Sequence, residues 1–246
     1  MPINTRLASK DLALAVMFTA LYAVLGVMKI SPIIGLQGQA ITAAAIIAPL
    51  IGIILGPYLG SLSTLLGGVI GFSLGFFSQP SFAAGIAAAV CAGLICDRRR
   101  VLALLLYAVL WLALAFYPKV GPLWLYPAYL TFQAIGLMIL SPPFQSAITR
   151  GFNSYKGSCL LFAYFATCMA STLAGQIAGS LTFVTMLQPD VAFWSGTWFA
   201  TAFTYPVERL IIAIFASTIG LSLHRILKSA NLLPSPIPES QPERHP

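Results

Sequence analysis

The chain has 246 residues, of which 59% are hydrophobic and 8% charged, and its mean hydropathy is +0.90. Soluble domains carry about a quarter charged residues, so this composition excludes a water-soluble globular protein and implies a polytopic helical membrane protein. A net charge of +7 and a pI near 9.4 do not point to nucleic acid, because the basic residues fall at the ends of apolar stretches and not on one patch.

In chain order, apolar runs bounded by charges, Pro and Gly predict spans at 11–28, 39–56, 58–77, 81–96, 101–117, 124–141, 157–187 and 197–227. Arg6 and Lys10 precede the first run in the manner of a signal peptide. No clear small-x-small cleavage site precedes Lys29, so the run is read as the first span. From Ile30 to Cys96 there is no Asp, Glu, Lys, Arg or His, which leaves room for three spans of roughly 20 residues or fewer. The spans at 81–96 and 101–117 are short enough to be oblique or partly re-entrant.

Arg6, Lys10, Arg98 to Arg100, Arg150, Lys156, Arg225 and Lys228 fall on one side if the amino terminus is cytoplasmic; Lys29 and Lys119 are exceptions. Positive residues accumulate inside, so an even span count with both termini in the cytoplasm is expected, which fits eight spans or six. The expected organisation is an all-α membrane bundle over 1–228, followed by a Pro-rich cytoplasmic tail, disordered, over 229–246.

Cys91, Cys96, Cys159 and Cys168 lie in or beside apolar segments without metal-ligand spacing and read as reduced core residues. Small residues recur every four positions: Ala15, Thr19, Ala23; Gly52, Gly56, Gly60; Gly67, Gly71, Gly75; and Thr167, Ser171, Gly175, Gly179. Each row is expected along one helix face, where it lets backbones approach closely in lipid. The glycine rows suit packing within the bundle, and the row on the first span suits either that or another membrane subunit.

Catalytic signatures are missing. No P-loop lysine follows a glycine, no His-Glu-x-x-His or Ser/His/Asp set occurs, and His224 and His245 lie at or beyond the cytoplasmic end of the last span. The chain is therefore expected to be neither an ATPase nor a hydrolase, and no cofactor is expected.

The informative residues are Glu208 and Arg209, adjacent in the middle of the last apolar stretch. A charge at the bilayer centre costs about 2.5 to 3.5 kcal/mol, so such residues face a cavity, a partner or a ligand. Consecutive helical positions point about 100° apart, so each is expected to need its own partner. Thr201, Tyr205, Glu208 and Ile212 share one helix face, a polar and aromatic stripe toward the outer side. Pro206 frees a carbonyl and can bend the helix near a cavity. The same side holds Gln37 and Gln39 next to the loop 30–38, then Gln79, Ser81, Asp190, Trp194 and Trp198. The tryptophans suit either a pocket or an interfacial aromatic belt. Gln133 and Gln176 are expected to make interhelical hydrogen bonds.

Three segments carry a resemblance. Leu12 to Gly26 (LALAVMFTALYAVLG), Ile54 to Gly71 (ILGPYLGSLSTLLGGVIG) and Tyr205 to Ala213 (YPVERLIIA) resemble the substrate-binding S components of energy-coupling factor (ECF) vitamin transporters. The likeness covers spans one to four and the last span, about half the chain, and rests on order and spacing.

That resemblance implies a plasma-membrane, multi-pass subunit of an ABC importer. It would capture a vitamin or similar micronutrient from outside, with a transmembrane coupling subunit and two ATPase subunits as partners. It also implies a docking face at Ala15, Thr19 and Ala23, where Thr19 departs from an alanine pattern, and a pocket drawing on Gln37, Gln39, Tyr205 and Glu208. The family has six helices, so residues 101–141 would be an inserted hairpin. Two other classes remain open. One is an ion- or proton-coupled secondary transporter with Glu208 as the proton carrier; the other is a noncatalytic scaffold resembling rod-shape proteins.

Overall fold

A computed structural model describes residues 9–117, 127–154, 156–186, 191–230 and 232. Its elements are α1 (Ser9–Leu25), β1 (Lys29–Pro32), β2 (Ala40–Thr42), α2 (Ala44–Ser73), α3 (Gln79–Cys96), α4 (Arg100–Ala115), α5 (Pro127–Ile139), α6 (Pro142–Phe152), α7 (Gly157–Met186) and α8 (Val191–Ser229). Helices follow from the apolar runs, because in lipid the backbone must satisfy its own hydrogen bonds. Among the described residues, α2, α3, α7 and α8 are long and apolar enough to cross a membrane, and α4 and α5 are shorter apolar helices. Most of the tail expected from residue 229, and Asp190, lie outside the described residues.

The chain reverses inside α2. Gly56 adopts φ 76° and ψ −179°, which a side chain would resist, and Pro57 opens a second helical arm. A Cβ on Gly60 would lie 3.0 Å from the Gly52 Cα, whereas residues eight apart in an unbroken helix stand about 12 Å apart. The arms 44–55 and 57–73 therefore fold against each other. Gly52, Gly56 and Gly60 do not form one continuous face, as their spacing suggested; they build a hairpin corner.

Close backbone approaches set the remaining packing. A Cβ on Gly52 would meet the Ala89 carbonyl oxygen of α3 at 2.1 Å, and one on Gly175 of α7 the Ala84 oxygen at 2.6 Å. A Cβ on Gly67 would meet the Thr19 carbonyl oxygen at 2.7 Å, and Ser63 Oγ donates to the Ala15 oxygen at 3.3 Å. These contacts correct the docking-face expectation: Ala15 and Ala23 are buried against the second arm of α2, and Thr19 bonds back to the Ala15 oxygen at 2.8 Å. Ala15 and Ala23 serve packing inside the chain, while Ala13 and Ala20 are exposed. Leu12, Val16 and Val24 lie on its exposed side.

The described residues of 101–141, in α4 and α5, pack into the bundle. Tyr107 of α4 donates to the Gln133 carbonyl oxygen of α5 at 2.6 Å, and Tyr129 of α5 meets Ser180 of α7 at 2.8 Å; all three aromatic or amide side chains are buried. Two departures from the predicted elements stand out. Lys29–Pro32 and Ala40–Thr42 pair as an antiparallel ribbon in an otherwise helical fold. Helix α6 was missed because its eleven residues are too few and too polar to read as a span. It is held by Arg100, which donates to Ser146 at 3.3 Å and Thr149 at 2.9 Å.

Apart from Lys29 in β1 and Arg209 within α8, the described basic residues collect at one end of the bundle. Arg99 donates to the Tyr58 hydroxyl at 2.7 Å just after the Gly56 reversal, and Arg225 at the end of α8 lies beside Gly157 at the start of α7. The paired strands lie at the opposite end.

Candidate binding site

Beneath the ribbon lies a cavity of about 90 Å³, against roughly 10–15 Å³ needed by one water molecule. One wall comes from α2, α3 and α7, where Ala44, Ala48, Ala84, Gly85, Ala88 and Gly175 present backbone and methyl groups. The facing wall is α8, with Thr197, Trp198, Thr201, Tyr205 and Arg209. Tyr22 and Phe77, stacked at 5.2 Å, close one side, and Phe183 another. Ile33, Ile34, Ile41 and Thr42 from the ribbon form the roof.

Two hydrogen bonds tie that roof to α8. Ser31 Oγ donates to Glu208 Oε2 at 2.5 Å, and the Ile34 N–H donates to the Tyr205 hydroxyl at 3.3 Å. Gly35 and Gly38, at φ 89° and 77°, make the turn between the strands.

Glu208 and Arg209 neutralise each other. Arg209 Nη2 donates to Glu208 Oε1 with both residues buried, Arg209 5% and Glu208 8% exposed. The expectation that neighbours 100° apart need separate partners is overturned, because both side chains are long enough to turn toward one another. Their roles also differ from the sequence reading. Arg209 lines the cavity, with its guanidinium carbon 5.8 Å from the centroid of the Tyr205 ring, whereas Glu208 stands behind the wall and grips Ser31. Thr201, Tyr205, Glu208 and Ile212 do share a buried face, but only Thr201 and Tyr205 of that stripe reach the cavity.

The tryptophans face inward. Trp198 is buried in the wall, and Trp194 stacks behind it at 5.6 Å, backed in turn by Phe183 at 5.2 Å. Tyr129 packs on Trp198 at 4.9 Å, which ties the 101–141 segment to the site. The belt reading fails for this pair; the exposed aromatics of α8 are Phe199, Phe203 and Phe215.

Gln37, Gln39 and Gln79 are exposed and do not line the cavity. Polar loop residues looked like ligand contacts, but the ribbon turns Ile33, Ile34 and Ile41 inward and its glutamines outward, with Ile30 also exposed. Sequence reasoning also missed Tyr22, Thr42, Gly85 and Gln176 as lining residues. Gln176 carried a usable signal: it is an uncharged polar side chain deep in an apolar helix. Neither Gln176 nor Gln133 makes the interhelical hydrogen bond expected of its amide. Among the described residues, no group of His, Cys, Asp or Glu could hold a metal ion.

Comparison with protein-family models, with curated proteins and with solved structures gave no match.

Proposed function

We propose that this chain is the membrane-embedded substrate-capture subunit of an ATP-driven importer of the energy-coupling factor type, taking a vitamin or related micronutrient from outside the cell. One observation carries the reading: a roofed cavity at the end of the bundle opposite most of its basic residues, walled by apolar surface with a few convergent polar groups. That is the make-up of a small-molecule site. With the basic end in the cytoplasm, the cavity opens outward and both termini are cytoplasmic. The chain then crosses eight times, with the arms of α2 counted separately and α6 lying along the inner surface. Separate coupling and ATPase subunits supply energy.

The rival readings fit the site less well. A scaffold needs no cavity, and a proton carrier needs its carboxylate on the transport cavity, whereas Glu208 stands behind the wall, bonded to Arg209 and Ser31. Purification in mild detergent followed by mass spectrometry of the released small molecules tests the proposal. The expected result is one small molecule at near-equimolar amount. An empty protein that moves solute in vesicles under a proton gradient, without any ATPase, would overturn it.

A further inference from the structure

The polar groups lining the cavity divide into those already engaged and those left over. Thr172 donates to the Met169 oxygen, Thr201 to the Trp198 oxygen, Ser81 meets Ser78, and Ser180 meets Tyr129. Left without a hydrogen bond are both atoms of the Gln176 amide, the Trp198 indole N–H and Arg209 Nε, on residues 4%, 2% and 5% exposed. The Tyr129 hydroxyl, paired with Ser180, also faces the Gln176 amide, at a separation that falls outside hydrogen-bond geometry. A buried polar group without a partner is costly, and three on one cavity mark atoms shaped to meet a ligand.

Their chemistry defines what fits. Gln176 offers a donor and an acceptor side by side, while the indole N–H and the guanidinium Nε each offer a donor. Arg209 is the sole charged residue on the described wall, and Glu208 already neutralises it. A cation would meet that guanidinium with no anion to balance it, and an anion would have to displace Glu208 from its partner. The space lies between a flat wall of glycine and alanine and the rings of Trp198 and Tyr205, which suits a planar group.

We infer that the cavity selects an uncharged planar ring bearing an amide-type edge, a lactam or cyclic ureide, with the Gln176 amide pairing with that edge and Trp198 and Arg209 donating to further acceptors. The inference rests on the cavity being a capture site, as proposed above, and adds the class of ligand.

Four probes of similar ring size separate the alternatives: 2-pyridone, a neutral lactam; nicotinate, an anion; N-methylpyridinium, a cation; and toluene, which has no polar edge. Binding to the purified full chain is read by thermal shift and calorimetry. The expectation is that 2-pyridone binds at least about tenfold tighter than each of the others, because they leave buried groups unpaired. Gln176→Met should erase that preference while the folded yield holds. If the variant does not fold, the ranking on the natural chain decides alone. Tighter binding of nicotinate, N-methylpyridinium or toluene would overturn the inference, as would the absence of any binding. The two proposals fail separately. An extracted ion at near-equimolar amount would sink the amide-edge assignment and leave capture standing, whereas a chain that prefers 2-pyridone but carries no extracted molecule and supports no uptake would do the reverse.

Discussion

Across the cavity, the wall of α2, α3 and α7 is built from glycine and alanine pressed backbone to backbone, whereas α8 presents Trp198, Tyr205 and Arg209 with Glu208 behind them. The first wall gains its contacts from shape, since helices in lipid associate through close packing and not through hydrophobic burial. The second gains its specificity from groups that are expensive to bury, the Glu208–Arg209 pair satisfied within the chain and the Trp198 N–H and Arg209 Nε left facing the cavity. The contrast teaches that the same apolar composition can carry a rigid surface and a chemical one, and that they should fail differently.

The largest effect should come from breaking the ion pair. Arg209→Leu leaves Glu208 buried with Ser31 alone and should cost about 3–5 kcal/mol. Thermal unfolding in detergent measures it, and adding Glu208→Gln should recover most of the loss. A cost under about 1 kcal/mol would mean that the pair is solvated and the contrast between the walls overstated.

Next comes the small-residue wall. Gly52→Ala drives a methyl to 2.1 Å from the Ala89 oxygen and should destabilise by up to about 3 kcal/mol. Gly196→Ala on α8, where nothing lies within 4 Å, should be neutral or stabilise by about 0.5–1 kcal/mol. Equal effects at the two positions would erase the distinction between the walls.

These walls were unequally legible in the sequence. Composition gave a helical membrane bundle, and the cost of burying charge singled out Glu208 and Arg209, because both signals are local. Their pairing was not legible, since it depends on where two long side chains turn. Gly56 followed by Pro57 placed a break correctly, but the fold-back that presses Gly60 against Gly52 is a three-dimensional contact that spacing alone reads as one face. The glutamines of the loop misled because polarity does not say which way a ribbon faces. Gln176 was undervalued for a related reason: a lone amide in a helix is usually paired, and only the fold reveals that its neighbours bond elsewhere.

A smaller effect is expected where the roof joins α8. Ser31→Ala removes a hydrogen bond to a carboxylate, worth about 1.5 kcal/mol, and should speed amide exchange across residues 31–42 about tenfold without changing global unfolding. Unchanged exchange would assign the roof's closure to its isoleucines. The smallest effect belongs to Gln37→Ala and Gln39→Ala, which should shift stability by less than about 0.5 kcal/mol and leave affinity for any extracted ligand unaltered. A loss of affinity there would move the binding surface outward, off both walls.

The reversal at Gly56 also bears on how the bundle sits in its lipid. The first arm of α2, residues 44–55, is about 18 Å long at 1.5 Å per residue, well short of the roughly 30 Å of a bilayer's hydrocarbon core. Lipid beside that arm must thin, or the paired strands above it must sit below the level of the headgroups. The strands have polar backbone edges, which hydrocarbon does not accommodate, so a thicker bilayer strains the roof more than it strains the full-length helices α7 and α8. Acyl-chain length thus becomes a handle on access to the cavity, acting from the side and touching none of the residues that line it.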